Sequence, residues 1–116
     1  LPPMPSADER LQSKQFVTLD TLTAVGVTEN GLSYGAQAIT YQVTVASIAT
    51  SVVIRFEGSL DGVDYFNLNQ DDADYTILTN GTTGYCLSGC PVNYARLRLV
   101  TINGGSPSVA TVIGAG

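Results

Sequence analysis

From residue 15 onward, apolar and polar side chains alternate along much of the chain. Tyr41, Val43 and Val45 alternate with Thr40, Gln42 and Thr44; Ile54 and Phe56 with Arg55 and Glu57; Ala95, Leu97 and Leu99 with Tyr94, Arg96 and Arg98. A period of two is the mark of a strand with one face buried, because successive side chains leave opposite sides of the pleat. Val109, Thr111 and Ile113 alternate with Ala110 and Val112, so this run has little polarity on either face. It is suited to lie between two layers or against a partner. Asn30-Gly31, Asp61-Gly62, Asn80-Gly81 and Asn103-Gly104-Gly105 separate the runs, and such pairs supply positive φ at low cost in tight turns. No segment has helical periodicity. The expected fold is all-β: an antiparallel β-sandwich, jelly-roll-like, with seven or eight short strands, a closed barrel being the alternative.

The first 14 residues differ. Three prolines among the first five favour an extended, polyproline-like path, and Ser6 to Lys14 is polar and charged. The expected organisation is an extended N-terminal arm over 1–14 and a single sandwich domain over 15–116. An arm of that length reaches roughly 45 Å at full extension. Both a frayed tail and a docking arm fit it.

Composition narrows the function. Of the 116 residues, 44% are hydrophobic and only 13% charged, about half the usual charged share. Thr, Ser, Asn and Gln carry solubility, or part of the surface is covered by something else. The net charge is −5, with Arg10, Lys14, Arg55, Arg96 and Arg98 set among ten carboxylates. Nucleic-acid binding needs a basic patch to replace phosphate counterions, so neither nucleic acid nor an anionic membrane is an expected partner. No run approaches the roughly 18–20 apolar residues of a membrane-spanning helix. The start, Leu1 to Pro5, has neither a charged n-region nor an apolar h-region, so no signal peptide is expected there.

Catalytic chemistry is poorly supplied. The chain has no histidine, which removes His-based triads, His-metal sites and imidazole acid–base chemistry. No phosphate-cradling glycine loop precedes a helix. Glu57, Asp61 and Asp64 could formally form a carboxylate pair, but loop carboxylates are usually solvated. No enzyme and no cofactor are expected. Asp71, Asp72 and Asp74 are the weak calcium candidates; three carboxylates alone do not complete a six-to-eight-oxygen shell, and an exposed loop is the simpler reading. Cys86 and Cys90 cannot make a zinc site, which takes four ligands. Both a small-loop disulfide between them and two free thiols remain open. In Ser59 to Phe66, an Asp-Gly turn leads into Tyr65 and Phe66. It reads as a hairpin, with Tyr65 as a sugar-stacking platform beside Asp61 and Asp64 the functional alternative.

The segment Val53 to Leu68 resembles a pattern in small β-sandwich proteins of tailed bacteriophages: a strand, an "EGSxDG" hairpin, then an aromatic pair. The later chain resembles it too, in Asn80 to Tyr85, Pro91 to Val100 and the glycine-rich turn before a last short strand. There Gly89-Cys90-Pro91-Val92 inserts a cysteine into the usual Gly-Pro-Val step. The resemblance covers roughly residues 38–113. It implies a virion protein, either a capsid decoration (cement) protein on the phage head surface or a tail or neck component. It further implies the major capsid protein and other copies of the chain as partners, with a homotrimer the expected assembly. Pro2, Pro3, Arg10, Lys14, Arg96 and Arg98 are the candidate partner contacts; Arg96 and Arg98 share a strand face, where solvation or pairing within the fold is the simpler role. A carbohydrate-binding module and a calcium-dependent adhesion domain are the readings from other classes.

Overall fold

The computed structural model describes residues 15–32, 38–69, 73–88 and 92–115. The expected arm over 1–14 lies outside them. Two strands organise the rest: β4 (Ala38–Ser59) and β8 (Tyr94–Ala115), each of 22 residues. They pair antiparallel from Ile39 opposite Ala115 to Ser59 opposite Tyr94. On the free side of β8 lie β1 (Gln15–Thr18), β2 (Gly26–Val27) and β3 (Gly31–Leu32). On the free side of β4 lie β5 (Phe66–Asn67), β6 (Tyr75–Ile77) and β7 (Gly81–Ser88). Among the described residues, the result is a single eight-stranded antiparallel sheet, open at both edges.

That sheet becomes a sandwich because its central ribbon bends. The pairing slips between Ala46 and Ile48, between Ile48 and Ser51, and between Val53 and Ile54. Each slip is a bulge, which inserts a residue, bends the strand and reverses the side-chain alternation beyond it. Ser47 takes a φ of 61°, and Gly104 and Gly105 take 77° and 71°. Pro107, buried in the same stretch, sits where a missing N–H costs no ladder bond. The first layer contains β1, β7 and the Ala38 and Ala115 ends of the ribbon. The second contains β2, β3, β5, β6 and the Ser59 and Tyr94 ends.

The reversal decides which residues form the core. In β4 the buried set is odd-numbered before the bend (Ile39, Tyr41, Val43, Val45) and even-numbered after it (Val52, Ile54, Phe56). In β8 two reversals cancel, so Leu97 and Leu99 point inward in one layer and Val109 and Ile113 in the other. The layers meet at Tyr41 and Phe56, whose rings stack at 4.1 Å. The Tyr41 hydroxyl crosses to the second layer and donates to the carbonyls of Glu57 (3.4 Å) and Arg96 (3.3 Å). Burial, and then the Glu57 charge, push that hydroxyl far above the usual tyrosine range, so it stays a donor. Tyr75 and Tyr85 close the side of the sandwich, one from each layer, with ring centroids 5.2 Å apart.

Short strands leave gaps along the ribbon, and side chains fill two of them. Between β5 and β6, the Asn69 Oδ1 accepts from the Phe56 N–H at 2.8 Å, while Leu68 N–H donates to the Phe56 carbonyl at 2.7 Å. Between β2 and β3, the Thr28 Oγ1 accepts from Leu97 N–H at 3.0 Å, and Thr28 N–H donates to the Leu97 carbonyl at 2.9 Å. Buried backbone polar groups must be paired, and these two residues do the work of missing strands.

The expected all-β sandwich is the observed class, with two of its turn signals used differently. The Asn103-Gly104-Gly105 signal does not end a strand. Because β4 is irregular opposite it, the whole ribbon bends and β8 runs on. Asn80-Gly81 joins β6 to β7 along the same partner strand rather than closing a hairpin between them; the Asn80 Oδ1 accepts from the Ile48 N–H at the bend (2.9 Å).

Two substitutions test this construction. A Cβ on Gly105 would lie 2.8 Å from the Ala49 Cβ, on backbone that side chains rarely adopt. Gly105→Ala should therefore lower unfolding stability by about 2–3 kcal/mol in a urea titration. Thr111 Oγ1 is buried with no hydrogen-bond partner among the described residues. Thr111→Val should raise stability by about 1 kcal/mol in the same measurement, since it removes an unpaired hydroxyl at nearly constant shape.

Candidate functional site

A protein expected to act by contact is best read from its outer faces, and the two layers differ sharply. On the second layer the outward residues of the ribbon are charged. Glu57, only 7% exposed in its side chain, accepts from Arg96 Nε at 2.8 Å and Arg98 Nε at 2.9 Å. Arg55 approaches it at 3.9 Å and makes a two-pronged contact with Asp74, at 2.7 and 3.0 Å. The register explains the cluster, because Glu57 lies opposite Arg96 and Arg55 opposite Arg98. Arg55 and Arg98 would repel as cross-strand neighbours, and Glu57 between them offsets that.

Loop residues cover the network. The Tyr65 ring lies 3.6 Å from the Arg96 guanidinium carbon, and its hydroxyl donates to Asn30 Oδ1 at 2.6 Å. One ring face is thus occupied by a cation, a favourable contact for a guanidinium over an aromatic. Burial opposes the charge on Glu57, but hydrogen bonds from Arg98 and Arg96, and then their charges, outweigh it and hold the carboxyl below its usual range. Hydrogen bonding to Arg55 likewise lowers Asp74 against a smaller cost of desolvation.

The tip of the β4–β5 hairpin is rigid for a separate reason. Asp61 Oδ1 accepts from Val63 N–H (2.8 Å), Asp64 N–H (3.0 Å) and the Ser59 hydroxyl (2.9 Å), and the Ser59 Oγ accepts from Gly62 N–H (2.9 Å). This is the physical content of the "EGSxDG" pattern. Its first glycine is a close approach: a Cβ on Gly58 would meet Leu68 at 2.9 Å and Val92 at 3.0 Å. The backbone bonds from Asp64 and Val63, then the Ser59 hydroxyl, hold Asp61 below the usual carboxyl range. Leu60, Val63 and Phe66 stand exposed around it.

Among the described residues, the three central rows on the outer face of the first layer carry no charge. Cross-strand register places Cys86, Thr40, Gly114 and Phe16 in one row. Gly84, Gln42, Val112 and Thr18 form the next row, and Thr82, Thr44 and Ala110 a third. Phe16 is 75% exposed at one margin, and a hydroxyl–hydroxyl bond of 2.8 Å joins Thr44 to Thr82. The weakly polar run at Val109 to Ile113 thus faces the core with its odd residues and this neutral face with Ala110 and Val112.

The remaining candidates disperse. Arg96 and Arg98 share the expected face, and each is engaged by Glu57, with Arg98 still 37% exposed. Pro2, Pro3, Arg10 and Lys14 lie outside the described residues, as do Asp71 and Asp72. Asp74 holds Arg55, and the described residues contain no group of three or more metal-ligating side chains. Cys86 is exposed on β7, and Cys90 lies outside the described residues. The pairing of Arg55 with Asp74 and the seating of Tyr65 under Arg96 had no signal in the sequence, since both depend on how loops return to the sheet.

No family model and no curated protein sequence matches the chain. Among solved structures, it is similar to the SPBc2 prophage-derived protein YomS, with a TM-score of 0.62 and 15% identity. The match covers 89% of this chain and 94% of that one, so the two share a fold over almost their whole length.

The Glu57 network makes a pH prediction with a definite sign. A carboxyl whose folded value is lowered stabilises the fold above its unfolded value, about 4.3, and loses that contribution as pH falls through the folded value. Glu57→Gln should cost about 2–4 kcal/mol at neutral pH, towards the lower end because Arg98 reaches water. The gap between wild type and variant should hold above about pH 5 and narrow steadily below about pH 4. Denaturant midpoints taken across that range would show it, and a gap independent of pH would remove the assignment.

Proposed function

We propose that this chain is a non-enzymatic structural protein of a bacteriophage particle: a capsid decoration protein that sits on the head surface, binds the major capsid protein and bridges neighbouring subunits. The observation that carries this reading is the fold shared with a prophage-derived protein over nearly the whole of both chains. The "EGSxDG" hairpin and its aromatic pair point the same way. The carboxylates best placed for chemistry have other work, since Glu57 is held by arginines and Asp61 by its own turn. The Tyr65 ring has Arg96 against one face, which weakens the sugar-platform alternative.

The mechanism is binding linkage. A protein that recognises a joint present only in the assembled shell stabilises that state by about 2.7 kcal/mol per site at a free concentration one hundred times its dissociation constant. Small increments at many joints add up over a shell. A stiff binder suits this task, because little ordering entropy is lost on docking. A place in the tail or neck would use the same rigid sandwich on a different partner.

Purified protein mixed with expanded phage heads should cosediment with them and raise their thermal disruption temperature, while isolated tails should leave it in solution. Binding to tails alone would move the protein to the tail. Failure to bind either at micromolar concentration would end the virion reading.

A further inference from the structure

We infer that the neutral outer face of the first layer is a self-association surface, where two copies of this chain pack sheet against sheet about a two-fold axis. Three observations converge on a second copy as the occupant. The first is charge. The chain carries −5, so two copies repel on approach. Of the two sheet faces seen among the described residues, the other one carries charges that a second copy would meet. The second layer presents Arg55, Arg96 and Arg98 with Glu57 and Asp74, and pairing it with itself would set arginine against arginine. The three rows of the first layer contain no ionisable side chain other than the Cys86 thiol.

The second is chemistry. The centre of the face is Thr44, Thr82, Gln42, Ala110 and Val112, at half-buried or exposed positions. Hydroxyls and amides both donate and accept, so a surface built from them can satisfy its own image, as a two-fold contact requires. Small side chains also let two sheets approach to the roughly 10 Å of face-to-face packing.

The third is size. Three strands about 4.8 Å apart and about seven residues long, with the four-residue β1 beside them, outline a plane of roughly 400 Å². Two such faces bury on the order of 800 Å² before side-chain relief, and the exposed ring of Phe16 at the margin adds to this. The sum approaches the roughly 1,000 Å² of a specific interface, in the range of a weak, reversible dimer.

A two-fold pair differs from the trimer implied by the phage resemblance, and it stands apart from head binding. A dimer that ignores heads leaves this inference intact, and a head-binding monomer removes it.

Sedimentation velocity on the full chain at tens of micromolar decides the matter. The wild type is expected to sediment as a dimer. Val112→Lys and Gln42→Lys, which place a charge at the centre of the face, should each weaken the dimer by at least ~10-fold with circular dichroism and melting temperature unchanged. Thr76→Lys, exposed on β6 of the other layer, makes the same change in net charge and should leave association as it was. A monomeric or trimeric wild type, a dimer indifferent to both first-layer substitutions, or an equal loss in Thr76→Lys would each overturn the inference.

Discussion

A bent ribbon can bury the same sheet face on both sides of its bend only if the register of its side chains is reset there. Alternation is rigid: once Tyr41 points inward, so do Val43 and Val45, and an unbroken strand would carry the odd positions onward. Arg55 and Glu57 would then enter the core while Ile54 and Phe56 faced water. The bulges between Ala46 and Ile54 prevent this by giving β4 one residue more at one place and β8 one more at two others. The Tyr41–Phe56 stack, the hydroxyl bonds from Tyr41 and the outward ion network all depend on that count. Ser47, Gly104 and Gly105, in left-handed backbone, are where the chain absorbs it.

Most of the core was legible in the sequence because alternation survives on each side of the bend. Tyr41, Val43 and Val45, then Ile54 and Phe56, then Ala95, Leu97 and Leu99 are inward as the period of two requires. What alternation cannot convey is whether two runs belong to one strand. The glycines at 104 and 105 are as suited to a bulge as to a turn, and only the partner strand distinguishes them. In the same way, Asn69 and Thr28 look like loop residues, although each stands in for a strand against the ribbon. The candidate site was legible in part: the shared face of Arg96 and Arg98 followed from spacing, whereas their common partner Glu57 followed from register. That register is a long-range property with no local mark.

The two outer faces solve different problems. The charged one concentrates the three described cations around a carboxylate with little access to water, and such a network fixes geometry more than it adds stability, because desolvation of the charges offsets much of their attraction. It pins β4 to β8 and draws in the loops that carry Tyr65 and Asp74. The hairpin tip beyond it is held by Asp61 and needs no core of its own.

The neutral face has no such internal purpose, and its margin gives a reason to expect cover. β7 runs for eight residues beside β4 in unbroken register, without proline, charge or bulge. Edge strands with none of those features invite unspecific pairing, and proteins normally blunt or cover them. Among the described residues the face is free of charge and its edge free of protection, an arrangement costly to leave in water that becomes an asset where another sheet lies across it. Among the described residues, the ionic groups are gathered on the layer that must be stiff and withheld from the three rows of the first layer.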